Sequence, residues 1–338
     1  MLKRAYSLDL LRIFCCYCII VLHVSGHLVQ DSNFWYFIQG IVRPALWCFM
    51  SLSGYFILSK PITNWKKFYF SHFTHLVIPL VIYTFIYQLY NSHGQSISIL
   101  KIISGDSIGH LWFIYTLLSL YILAPFLQAM LQNLDNRKFC YLLFTMFILG
   151  RASNLLSSFN ATIGIPTTIL GNCSLFFFLF GYWLWKNSYK LHHKIVISIG
   201  MINIFYSAYT FSNSILSKGA ATLSLGMIIG VIFYFVLFSN CFGNIKSYHL
   251  QRIIVFLSER TYGIYLIHIL IFQIFTDNNF LDLDPYSTQH FWMLPLKSLI
   301  IFIVGLLISI CLDFLICVPL QKLVISIMRK FRSNTVSE

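Results

Sequence analysis

The chain has 338 residues, 58% of them hydrophobic and only 10% charged, whereas a soluble globular domain carries about 25% charged residues. That balance excludes a water-soluble fold and calls for lipid as the solvent of most of the chain. A net charge of +13 would suit nucleic acid, but the placement of the basic residues assigns it to membrane topology instead.

The opening MLKRAYSLDLLRIF sets basic residues before an apolar run, as a signal peptide does. No small-residue cleavage site follows, and Arg12 interrupts the run, so the segment reads as a retained first span. Apolar stretches of roughly the 20 residues needed to cross about 30 Å of hydrocarbon then recur to the end. They predict ten spans, at 8–29, 34–58, 68–91, 110–131, 138–156, 169–186, 194–212, 220–242, 254–276 and 293–327. The fifth is the weakest, since Arg151 and Asn154 fall in it, and the tenth is long enough to tilt or to run on as an interfacial helix. The nine cysteines sit almost wholly inside these runs and read as small buried hydrophobes. With no internal repeat, low-complexity segment or linker, residues 1–338 are expected to form one all-α, polytopic membrane domain.

Sixteen of the 23 basic residues fall on alternate connections, namely Lys3 and Arg4; Lys60, Lys66 and Lys67; Arg137 and Lys138; Lys186, Lys190 and Lys194; Lys246 and Arg252; and Lys322, Arg329, Lys330 and Arg332. The opposite set holds only Lys101, Arg151, Lys218 and Lys297. The positive-inside rule then puts both termini in the cytoplasm, which an even number of spans allows, and leaves no call for nucleic acid.

Arg12, Arg43 and Arg260 remain, within or at the edges of spans. An arginine near the bilayer centre costs about 2.5–3.5 kcal/mol, so each should face a polar cavity or a partner unless it snorkels from a helix end. Arg12 and His23 are eleven residues apart, about three helical turns and 16 Å along one face. Asp9, three residues before Arg12, can pair with it. His110 opens the fourth span at a depth similar to that of His23, and His268 lies two turns outward from Arg260 and its neighbour Glu259. Both histidines could equally be interfacial residues beside aromatic belts. Taken together, the set describes a cavity that is basic at its inner mouth and lined by histidines further out.

Here the sequence resembles acyltransferase family 3, membrane proteins that O-acylate cell-surface carbohydrates. The resemblance rests on the Arg-x10-His pair in LDLLRIFCCYCIIVLHVSGH, on RPALWCFMSLSGYFIL, on HLWFIYTLLSLYILAP and on TYGIYLIHILIF, in that order over essentially the whole chain. About 140–240, it is one of hydropathy only. It implies a bundle of about ten helices around a central pore, with an acyl-CoA donor, most commonly acetyl-CoA, entering from the cytoplasm and the acceptor held toward the outer face. It maps the family's motif arginine to Arg12 and its essential histidine to His23, and it points to the stand-alone form without an extracytoplasmic hydrolase-like domain. Similarity to short stand-alone members suggests a lipid-linked or surface polysaccharide acceptor, such as enterobacterial common antigen or O-antigen.

Transfer from a thioester to a sugar hydroxyl needs a base, an oxyanion stabiliser and a site for the donor's phosphates. A neutral imidazole suits the base, which falls to His23, as general base or as transient acyl carrier. The donor fork of Arg12 suits phosphate or pantetheine. Asp9, Arg43, His110, Glu259, Arg260 and His268 are the supporting polar residues, with His268 expected to matter less than His23. No GxSxG, HExxH or GxxxxGK[ST] motif is present, which removes support for serine-hydrolase, zinc-protease and P-loop chemistry, and no metal site is expected. A transporter or flippase of lipid-linked saccharides is the alternative, because intramembrane arginines and histidines would serve translocation as well. Oligomeric state and the choice of acetyl or succinyl are left open by the residues.

Overall fold

A computed structural model describes residues 5–27, 33–91, 109–157, 171–212, 223–280 and 290–334. Among these the chain is helical apart from short turns and connections and contains no strand. That is the outcome a lipid solvent imposes, since a helix satisfies its own backbone donors and acceptors. The helices are α1 Tyr6–Val24, α2 Asn33–Val42, α3 Pro44–Leu58, α4 Trp65–Asn91, α5 Trp112–Gln132, α6 Asn136–Ser157, α7 Cys173–Asn187, α8 His193–Ser212, α9 Leu225–Cys241, α10 Tyr248–Asp277, α11 His290–Leu312 and α12 Val318–Asn334. Among the described residues each expected span overlaps at least one helix. Six helical stretches, Tyr6–Val24, Asn33–Leu58, Trp65–Asn91, Gly109–Gln132, Tyr248–Asp277 and Trp292–Met328, are by themselves long and apolar enough to cross a membrane.

Three local departures from the expected spans have chemical causes. The second span is not continuous: it breaks between α2 and α3 at Arg43, because Pro44 has no N–H to give and its ring crowds the preceding turn. The tenth passes through a π-helical turn at Asp313–Cys317 before continuing as the strongly amphipathic α12. Lys297, expected in the set opposite the cytoplasmic charges, is instead 2% exposed within α11, its ammonium 5.4 Å from the ring centre of Phe272. It is therefore no loop charge, and the outer set shrinks by one. Of the other charges used for topology, Lys3, Arg4, Lys101 and Lys218 and the side chains of Arg329, Lys330 and Arg332 lie outside the described residues.

Caps set where several helices begin. Asn172, Ser224 and Ser247 each accept from a backbone N–H three residues on, at 3.0, 3.2 and 3.5 Å, which satisfies a donor the first turn leaves open. Within the bundle α1 is central, packing on α3, α9, α10 and α11. It runs parallel to α10: Asp9 meets Ser258, Cys16 meets Thr261, and His23 meets His268. This parallel pair carries Asp9, Arg12, His23, Ser258 and His268.

Candidate functional site

At the start of α1, Asp9 and Arg12 form the expected i, i+3 ion pair, 3.2 Å between Nη1 and Oδ1. A third group completes it from α10. Ser258 Oγ accepts from Arg12 Nη1 at 3.0 Å and donates to Asp9 Oδ1 at 2.9 Å. The guanidinium also lies 5.0 Å from the ring centre of Phe56 on α3. Asp9 is 3% exposed, and a carboxylate so enclosed is tolerated only with this cation and hydroxyl in place.

Three turns further along the same two helices the polar groups become imidazoles. The rings of His23, His110 and His268 gather from α1, from the 3₁₀ turn Gly109–Leu111 that opens the fourth span, and from α10. Their centroids are 5.2 Å apart for His23–His268, 5.1 Å for His110–His268 and 6.4 Å for His23–His110. Tyrosines brace two of the three. Tyr265 Oη donates to the His110 carbonyl at 2.7 Å, Tyr87 Oη lies 3.4 Å from His110 Nε2, and Tyr87 Oη also accepts from the Leu270 N–H at 2.9 Å. His268 Nδ1 lies 2.6 Å from the Tyr265 carbonyl. His23 makes no hydrogen bond through its ring to any described residue and borders a cavity of about 270 Å³ with Tyr87, Asn91, Gly109, His110, Ile269 and Gln273.

Such a cavity can admit a small acyl group and one hydroxyl-bearing edge of a larger molecule. Two imidazoles border it, and of these His110 has Tyr87 Oη at its Nε2, whereas the ring of His23 is left to take a proton. Among the described residues no group of three or more His, Cys, Asp or Glu side chains is arranged to hold a metal ion.

The remaining expected residues are placed elsewhere. Arg260 pairs with Glu259 at 3.6 Å and lies 4.2 Å from the Phe256 ring centre. Both line a second cavity of about 350 Å³ with Tyr6, Tyr248, Gln251 and Arg252, at the end of α10 away from the histidines. Arg43 joins neither cluster by these contacts; it sits at the α2–α3 break and donates from Nε to Gln39 at 2.8 Å. Sequence reasoning missed Ser258, Tyr87, Tyr265 and Gln273. A signal for two of them was present. Ser258, Thr261, Tyr265 and His268 recur at steps of three, four and three residues along α10, which puts them on one helical face.

Comparison with known proteins gives the family of the chain. The acyltransferase-domain model of acyltransferase family 3 matches residues 5–314, nearly the whole chain. The chain belongs to acyltransferase family 3. No curated protein and no solved structure matches it. Family membership makes the chain an acyltransferase of the membrane, and the matched range includes both the Arg12 cluster and the three histidines.

Proposed function

We propose that this acyltransferase moves an acyl group, acetyl in the first instance, from cytoplasmic acyl-CoA to a hydroxyl of a lipid-linked or surface polysaccharide. The reading extends to a pore enclosed by about ten spans, with both termini in the cytoplasm of a bacterial inner membrane, and to a role like that of the enterobacterial common antigen O-acetyltransferase. One observation carries it. Arg12 and His23 lie on one face of α1, and His23 borders a cavity with no hydrogen bond from its ring to a described residue, while Arg12 is anchored about 16 Å away. That offset suits an extended pantetheine arm, with the nucleotide held near Arg12 and the thioester delivered to His23.

In the direct route the acceptor oxygen attacks the thioester carbonyl carbon as His23 takes the hydroxyl proton. The C–S bond then breaks, and coenzyme A leaves as a thiolate that regains the proton. In the covalent route the imidazole nitrogen accepts the acyl group first and passes it to the hydroxyl. Either route makes His23 indispensable. Purified protein in lipid discs should transfer radiolabelled acetyl from acetyl-CoA to a lipid-linked oligosaccharide, and His23→Ala should lower the rate by about 10² to 10⁴-fold while coenzyme A binding persists. Near-normal turnover of His23→Ala would sink the catalytic assignment. Movement of a lipid-linked saccharide across the bilayer without acyl transfer would sink the enzymatic one in favour of a flippase.

A further inference from the structure

We infer that His268 is a positioning residue for the transfer, acting through His23: its Nε2 is the acceptor that fixes the tautomer of the His23 imidazole and receives its N–H once His23 has taken the acceptor proton. This rests on His23 being the base or acyl carrier. His268 is 1% exposed and does not border the cavity, so it cannot touch substrate. Its Nδ1 lies 2.6 Å from the Tyr265 carbonyl, and a carbonyl can only accept, so the proton of a neutral ring sits on Nδ1. Nε2 is thereby left as a bare acceptor. It is fully buried and has no hydrogen-bond partner among the described residues. An acceptor stranded in that way is costly unless it finds a donor during the catalytic cycle.

The donor within reach is the ring of His23, 5.2 Å away centre to centre, a spacing at which a small rotation brings two ring nitrogens to hydrogen-bonding distance. Catalytic hydrogen bonds are commonly long before substrate binds and close in the reactive complex. His110 is the competing donor at 5.1 Å, but its Nε2 faces Tyr87 Oη and its backbone carbonyl holds Tyr265, so its ring is braced independently. His23 has no such brace. Since it also borders the cavity, it meets the requirement of a base oriented by a third group.

The test compares His268→Gln, which keeps an acceptor oxygen near the Nε2 position, with His268→Phe, which fills the space and keeps none. Each is made alone and in a His23→Ala background. In lipid discs, with acetyl-CoA and a lipid-linked oligosaccharide, His268→Phe should lower kcat by about 10²-fold with both KM values within about twofold, and His268→Gln should recover about tenfold of that loss. In the His23→Ala background neither substitution should lower the residual rate further. Equal losses in Gln and Phe, or a loss carried by KM, would overturn the inference in favour of packing alone. So would wild-type kcat in His268→Phe beside an inactive His23→Ala, and in that case the assignment of His23 would stand. An active His23→Ala would remove the assignment beneath it instead.

Discussion

Two helix interfaces show opposite ways of holding a bundle together where lipid supplies no hydrophobic drive. Between α3 and α7 the backbones touch. A Cβ on Gly54 would strike the Phe178 carbonyl, and one on Gly181 would strike the Ser51 carbonyl and the Tyr55 N–H. Trp47 stacks on Phe177 with centroids 5.0 Å apart. Between α1 and α10 the contact runs through side chains that lipid would reject, first Asp9, Arg12 and Ser258, then His23 and His268. The close interface earns its stability from dispersion and shape; the polar one is costly to build and is retained where chemistry needs it.

The largest break in that comparison should come from the close interface. Gly54→Val or Gly181→Val places a branched side chain against a neighbouring backbone that has nowhere to move. Overpacking of this kind costs about 1–3 kcal/mol or more, and a rigid helix pair is at the upper end. The expected result is loss of monodisperse protein in detergent and a lowered thermal midpoint, together with loss of activity. His23→Ala should do the reverse, leaving a stable but inactive protein. Wild-type thermal stability of Gly54→Val would show that the two helices are not locked by backbone contact.

Next in size is the anchored arginine. Arg12→Lys keeps the charge beside Asp9 but loses the planar fork, so the pair with Asp9 survives while a bidentate grip on phosphate does not. Donor KM should rise about tenfold with kcat little changed, read by titrating acetyl-CoA at saturating acceptor. Arg12→Ala should be worse for a different reason, since it strands the buried Asp9 carboxylate without its cation. Normal acyl-CoA kinetics in both variants would reduce Arg12 to a structural charge.

Topology can be checked beside these. Cysteines placed at exposed Lys66 and at exposed Asn278, on opposite ends of the bundle by the charge pattern, should be labelled by an impermeant thiol reagent only from the cytoplasm and only from outside, respectively. The reverse pattern would put the Arg12 end on the wrong side for acyl-CoA.

Helices, their order and the shared face of Arg12 and His23 were legible because hydropathy and a period of 3.6 residues are properties of consecutive residues. The histidine cluster was half legible. His23, His110 and His268 could each be given a depth, but depth alone does not say which helices are neighbours, and the contact of α1 with α10 joins residues some 245 apart. Ser258 and Tyr87 looked like ordinary polar tolerances of a span until a partner 249 residues away, for Ser258, or the His110 ring, for Tyr87, gave them a role. Lys297 was misread for the same reason: a lysine near a predicted helix start looks like a flank, and only the packing of α11 on α10 buries it.

The smallest expected effect tests the comparison most finely, because it asks what one hydroxyl is worth in each interface. Ser51 Oγ, in the close interface, donates to the Phe177 carbonyl at 3.0 Å. That carbonyl lies within α7, where the helical N–H four residues on already uses it, so Ser51→Ala leaves no group stranded and should cost about 0.5 kcal/mol or less. Ser258 Oγ, in the polar interface, stands between a guanidinium and a carboxylate, accepting from one and donating to the other. Hydrogen bonds to charged groups are worth about 1.5–3 kcal/mol, although Arg12, a quarter exposed at its side chain, draws part of its solvation from outside and moves the value to the lower end. Ser258→Ala should therefore lower the thermal midpoint by a few degrees, and Ser51→Ala by hardly any, with the chain otherwise folded in both. The Ser258 effect should also shrink when Asp9 is already Asn, since the two act on one network and their energies cannot simply add. Equal shifts for the two serines would mean that the Asp9–Arg12–Ser258 cluster is no more polar in energetic terms than the dry contact of α3 with α7, and that the division between the interfaces is one of shape only.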